Sequence, residues 1–393
     1  MAEPGSPEPP DVPYGDLFNE VPLFREIQRV LLAGAGPVNW ELARQVGIAM
    51  ASWNREDPVP SEDDRRAIED TVRAAELHVA EFTGLAPPSE PTSVLAFRRA
   101  QWVEANVQEL RDLVEPAAVR VADAFGKAQT EDVPAEAAQM AQAVLGQLSP
   151  LLLGAQAGTV LGFLGQRAFG QFDVPVPRPA AGRMYFVVPN IAQFERDWTV
   201  QPVEFRAWVA LHEVVHRIEF AKPWVRDHLL GLVRDYASSL EVDVAGIRER
   251  LEGLDPSNPD ALQGLFEGGQ GLFGGELDPE QRLKLARIHA FMAAAEGYGD
   301  HVTHELGGKM LPSLRQIEEA VSRAREDRAD DPVFERLLGT PMKREQFQAG
   351  RTFCDRAAEL TDEATLATMW DAPEALPSMP EIEEPSLWLA RSA

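Results

Sequence analysis

The chain has 393 residues, 45% hydrophobic and 25% charged, enough for one large or two average globular domains with a substantial core. Its 37 basic and 63 acidic residues give a net charge of −26. That excess of acid argues against nucleic acid and anionic membranes as partners and suits a neutral or cationic ligand. A single cysteine, Cys354, excludes an internal disulfide or a thiolate metal cluster; with no basic segment and apolar run of a secretory signal at the N-terminus, it points to the cytoplasm.

The opening MAEPGSPEPPDVPYGD is rich in proline and acid, so residues 1–20 are expected to form a disordered tail. A helical region is expected over 21–180. Ser61-Glu62-Asp63-Asp64 opens one helix with a capping-box pattern and apolar spacing runs on towards Phe82. Another helix is expected from Phe97 to about Ala128. Pro134 can start the next and Pro150 can break or restart it. Between Gln139 and Gln166 no residue is charged, and Gly154, Gly158 and Gly162 recur at spacing four. The polar Gln147, Ser149, Gln156 and Thr159, with Pro150, favour a buried helix in a close crossing over a membrane span.

Strand signals are few: Met184 to Val188, bounded by Pro189 and Asn190, and more weakly Phe172 to Val176. The expected fold is therefore mainly α with a small β element. Helices are expected over Glu204–Phe220 and from Trp224 to about Leu251, then a Gly/Pro-rich loop from Asp255 to Glu276. Asp278, Pro279 and Gln281 start a further helix that should stop near Leu306 at Gly307-Gly308. Shorter helices follow at Leu314–Glu326 and Lys343–Leu360. Residues 181–371 are expected to carry a metal site. The segment 372–393, which ends in Trp388 and Leu389, should dock on the body.

The chemistry concentrates in Leu211-His212-Glu213-Val214-Val215-His216. Residues four apart share a helical face, so His212 and His216 can ligate one tetrahedral Zn²⁺ while Glu213 reaches the water there as general base. Trp208, Val209, Leu211, Val214, Val215 and Ile218 are apolar, so the helix is buried, and two histidines with a carboxylate are unfavourable in a core unless a metal or other partners satisfy them. A catalytic site needs a third protein ligand and one open position. The metzincin arrangement would place Gly and His three and six residues after His216, where this chain has Glu219 and Lys222.

Glu296 and Asp300 lie four apart on a later helix: Glu296 as third ligand, Asp300 accepting the free N–H of a ligand histidine. His289, His301 and His304 are the other ligand candidates. His304 or His301 would donate to the oxyanion, while His228 and Tyr298 read as packing residues. Gly297 and Gly299 inside this helix suggest close backbone packing or mobility.

In this order, Asn39-Trp40, Gly170-Gln171-Phe172-Asp173, Pro189-Asn190-Ile191, Trp208 through His216, Glu296-Gly297-Tyr298-Gly299-Asp300-His301-Val302, Leu337-Leu338-Gly339, Gln346 to Phe353, Trp370, Leu376-Pro377 and Trp388 to Arg391 resemble a bacterial family of zincin-like metallopeptidases. Some members are linked by genome context to deazaflavin cofactor biosynthesis. The resemblance spans the chain from about Val38 and implies a mostly helical zincin variant. The E-x-x-x-D element is similar to the third-ligand segment of gluzincins, although its distance from His216 is longer than usual there. The expectation is thus a zinc-dependent hydrolase, a metallopeptidase acting on a peptide or small amide. The alternatives are a non-catalytic zincin-fold protein with a structural or partner-binding zinc and a small-molecule amide hydrolase. Substrate and oligomeric state are left open by the sequence.

Overall fold

The computed structural model describes residues 36–88, 92–127, 135–173, 182–240, 277–326 and 344–392. The expected tail, the weak strand beyond Asp173, the helix beyond Leu240, the loop up to Glu276 and Leu337-Leu338-Gly339 lie outside them. The elements in chain order are α1 (Trp40–Ala51), α2 (Glu62–Thr83), β1 (Ser93–Phe97), α3 (Arg99–Lys127), α4 (Ala135–Gly165), β2 (Arg183–Val187), α5 (Val188–Asp197), α6 (Pro202–Phe220), α7 (Pro223–Ser239), α8 (Pro279–Met310), α9 (Leu314–Glu326), α10 (Arg344–Leu360), α11 (Glu363–Ala367), α12 (Met379–Glu383) and α13 (Pro385–Ser392), with short 3-10 turns after α11. The fold is mainly α with a small β element, and among the described residues no helix is long and apolar enough to cross a membrane.

Local chemistry sets several helix ends. Ser61 and Asp64 form the capping box of α2, and Gly84 closes that helix in the left-handed region at φ 67. Asp278 and Gln281 form the capping box of α8 behind Pro279. The expected stop at Gly307-Gly308 does not occur: α8 continues to Met310. A glycine ends a helix by turning left-handed, and neither glycine adopts a positive φ; Leu314 packs so closely on Gly307 that a Cβ there would stand 2.8 Å from Leu314 Cδ1. Helix α4 also runs straight through Pro150, whose carbonyl accepts the Asn39 amide at 2.8 Å.

The helix expected from Phe97 begins two residues later, because Ser93–Phe97 pairs in parallel with β2 from Ser93↔Arg183 to Phe97↔Val187. This pairing is non-local, and Phe97 stacks on Tyr185 at 4.7 Å between ring centroids. Along β2 the side chains alternate between two cores. Met184 and Phe186 face the larger core built by α2, α6, α7 and α8, whereas Tyr185 and Val187 face a smaller one under α1, α3 and α4. In the smaller core α1 crosses the glycine face of α4 so tightly that Cβ atoms at Gly154 and Gly158 would meet the carbonyls of Asn39 and Ala43 at 2.4 and 2.5 Å.

One connection carries the fold into the site. After α4 the chain passes β2, where the Val187 amide donates to the Phe169 carbonyl at 2.7 Å and Gly170 bridges Phe186 antiparallel. Asn190 fixes the approach by donating to the carbonyls of Gly165 and Ala168 while accepting from buried Arg99. Trp102 Nε1 donates to the Gly170 carbonyl at 2.8 Å. The 169–173 segment is thereby pinned against α6. At the C-terminal end, Trp388 is buried against Phe353, donates to the Ala375 carbonyl, and precedes Arg391, which pairs with Glu381 at 2.6 Å.

Candidate metal centre

From Trp208 to Phe220 every residue of α6 is buried. One stripe of it is aromatic: Trp208 stacks on His212 at 5.6 Å, and His216 on Phe220 at 5.4 Å. His212 and His216, one turn apart, have ring centroids 4.6 Å apart at an interplanar angle of 80°. α8 packs across this face and supplies Glu296. One ligand atom from each of His212, His216 and Glu296 lies within 4.8 Å of the others; His216 Nε2 to Glu296 Oε1 is 3.8 Å. A tetrahedral ion with ligand bonds of about 2 Å needs ligand atoms roughly 3.3 Å apart, a small side-chain rotation away.

The donor set fits a divalent cation. His216 Nε2 is fully buried and makes no hydrogen bond, an arrangement that is unfavourable for a ring nitrogen unless something binds it. Its other nitrogen, Nδ1, meets Glu219 Oε2 at 3.0 Å, and Glu219 is completely buried. This is the carboxylate–histidine pairing that fixes the tautomer of a metal ligand. Burial alone would lower the His216 pKa, but Glu219, then Glu296 and Glu213, outweigh it and hold it at about 9: the surroundings favour positive charge.

Glu213 lies beneath the 169–173 segment. Its Oε2 accepts the Phe172 amide at 2.9 Å. Burial, reinforced by nearby Asp173, raises its pKa to about 8, against the opposing Phe172 amide. Asp173 caps the same turn, accepting the Phe169 and Gly170 amides. Glycine at 170 is a packing requirement: a Cβ there would stand 2.4 Å from Glu213 Cδ and 2.7 Å from both its oxygens. Gly299 plays the same part across the site, where a Cβ would stand 2.8 Å from His216 Cε1 and 3.0 Å from its Nε2.

Asp300 reaches His212 with Oδ1 3.6 Å from Nε2, the nitrogen that also faces Gly299. It stands on the metal-facing side of that ring. The remaining candidates lie apart from the His-His-Glu group. His301 is locked between Asp355 Oδ1 at 2.7 Å and Glu363 at 3.1 Å, His304 turns to Glu318 at 2.7 Å, and His289 is buried with its pKa lowered by burial. His228 packs on Trp224 and Phe291. Tyr298 is buried against Trp370. Sequence reasoning used Glu219 only to reject a metzincin and missed its contact with His216, for which the i,i+3 spacing was the available signal. Gly170 and Asp173 were visible as a motif without a role.

Fold and site together define a helical protein with an H-E-x-x-H helix and a downstream glutamate arranged for a metal ion. The chain belongs to the zincin-like metallopeptidase family, whose sequence model matches residues 38–389. It is also similar to a candidate hydrolase with a novel fold from Chloroflexus aurantiacus, known from a crystal structure: 28% identity over 90% of this chain and 98% of that one, with a TM-score of 0.65. No curated protein matches the chain.

Proposed function

We propose that the protein is a zinc-dependent hydrolase of peptide or related amide bonds, with His212, His216 and Glu296 as ligands and Glu213 as general base. The observation that carries this reading is the convergence of these three side chains from α6 and α8, with a carboxylate next to the first histidine. A bound zinc ion would supply Lewis acidity to polarise a carbonyl and acidify water. The protein's own groups do the rest. Glu213 takes a proton from the attacking water and returns it to the leaving amine, and the Phe172 amide holds its carboxylate in place. Glu219 keeps His216 in the tautomer that presents Nε2. Asp300, beside His212 Nε2, adds negative charge at the metal position. His304, the half-exposed histidine of α8, holds Glu318 through Nδ1 and keeps Nε2 to donate to an oxyanion. The acidic surface favours neutral or cationic substrates.

The depth of Glu213, 2% exposed, favours a second reading in which the zinc is structural. Digestion of a peptide library by wild type, Glu213→Gln and zinc-stripped protein separates the two. The hydrolase reading expects chelator-sensitive cleavage by wild type and a loss of about 10²–10⁴-fold in Glu213→Gln with zinc retained. Equal cleavage by both would remove Glu213 from the mechanism. No cleavage, with a fourth protein ligand on the zinc, would establish the structural reading.

A further inference from the structure

Behind the metal-facing side of His216 lies a polar chain that ends abruptly. Glu219 uses Oε2 for His216 Nδ1, while its Oε1 is buried without a hydrogen-bond partner. A carboxylate oxygen in that position is unfavourable by itself, and the protein interior nearly always answers it with a donor or an ordered water. The hydroxyl of Tyr298 is equally buried and equally without a partner. The two residues flank one aromatic junction: Phe220, next to Glu219, meets Trp370 at 6.4 Å, and Tyr298 meets Trp370 at 6.0 Å, both edge to face. Glu219 is also the charged group acting most strongly on that hydroxyl. Tyr298 is 1% exposed and packs on Trp370.

We infer that Tyr298 is a positioning residue for the metal centre: its hydroxyl donates to Glu219 Oε1, directly or through one buried water, completing a Tyr298–Glu219–His216 chain. The inference rests on the metal-centre reading above. Its physical content is that Glu219, anchored at one oxygen only, is free to turn about its last torsion. Anchored at both, it presents Oε2 to His216 Nδ1 in one orientation and so fixes the direction of Nε2. Cys354, buried nearby and also acted on by Glu219, is the competing donor.

The test measures zinc dissociation constants, by competition with a chromophoric chelator, for wild type, Tyr298→Phe, Glu219→Gln, the double variant and Cys354→Ala, with thermal melting of each metal-free protein. Glu219→Gln is expected to weaken zinc about 10–100-fold and Tyr298→Phe about 3–10-fold, as losses of outer hydrogen bonds to a ligand. The double variant should bind no more weakly than Glu219→Gln alone, because Tyr298 acts through Glu219. Metal-free Tyr298→Phe should melt below wild type; a truly unpaired hydroxyl would give the opposite, since removing an unsatisfied polar group stabilises. The chain is overturned if Tyr298→Phe binds zinc as wild type does, melts higher, or adds independently to Glu219→Gln, or if Cys354→Ala alone reproduces the loss. A wild type that binds no zinc would overturn the metal centre itself, whereas a wild type that binds zinc indifferently to residue 298 would overturn this inference only.

Discussion

Replacing Gly299 by alanine adds one methyl group to α8 and touches no ligand atom's covalent structure, yet it should disable the metal site. The new Cβ would stand 2.8 Å from His216 Cε1, 3.0 Å from its Nε2 and 3.6 Å from His212 Nε2. Carbon atoms pack comfortably at about 3.5 Å, so the imidazole must retreat by roughly 0.7 Å. Metal–ligand distances tolerate only about 0.2 Å. Backward movement is blocked, because Nδ1 already meets Glu219 and the ring stacks on Phe220. The expected result is zinc affinity weakened by at least about 10–100-fold, comparable to losing an outer hydrogen bond of a ligand. Folding should survive, since alanine is about 1 kcal/mol better than glycine inside a helix, which offsets part of an overpacking cost of about 1–3 kcal/mol. Chelator competition reads the affinity and a melting curve of the metal-free protein reads the fold. A Gly299→Ala variant that folds and binds zinc within twofold of wild type would refute the proposed approach of α8 to His216.

Gly170→Ala should act on the base instead of the metal. Displacing the Glu213 carboxylate by about 1 Å should lower hydrolysis on the order of 10²-fold while zinc content, measured by atomic absorption, stays at the wild-type level; unchanged turnover would refute the contact. Glu296→Ala should weaken zinc by about 100-fold or more, and Asp300→Ala by less, about 10-fold; normal binding by Glu296→Ala would remove it from the ligand set. A pH effect follows from His301. Burial would lower its pKa, but Asp355 and Glu363 raise it to about 9. A pKa raised on folding stabilises fully below the unfolded value near 6.5 and ceases to do so as pH rises through about 9. The shift corresponds to about 3 kcal/mol at most, reduced to about 1–2 kcal/mol by solvent around the two carboxylates. Wild-type stability should therefore fall between pH 6.5 and 9 and His301→Gln should flatten that slope, as denaturant titrations across the range would show.

Much of the architecture was legible because its signals are local. The capping boxes of α2 and α8 and the helical pair His212/His216 depend on residues three or four apart. The mainly helical class follows from the same periodicity. Glu296 could be picked out because Asp300 repeats one turn later on a buried helix, even though its approach to His216 depends on tertiary packing. What stayed hidden is non-local. β1 exists because β2 pairs with it, and nothing in Ser-Val-Leu-Ala-Phe alone outweighs helix propensity. Gly307-Gly308 looks like a helix end, but neither glycine turns left-handed, and the bare Gly307 makes room for Leu314. Gly297 and Gly299 were odd in a helix, and the oddity has two separate causes: a Cβ at 297 would collide with the backbone of Gly350, and one at 299 with His216. The Glu213 cradle likewise joins a turn after α4 to α6 across some forty residues of chain.

The central claim is that one zinc ion sits between α6 and α8. Metal analysis of the purified protein tests it most directly, comparing wild type with the His212→Ala/His216→Ala double variant after identical dialysis. One zinc per chain is expected in wild type, because among the described residues one group of ligands converges, and essentially none in the double variant. Zinc retained in full by the double variant would contradict the account.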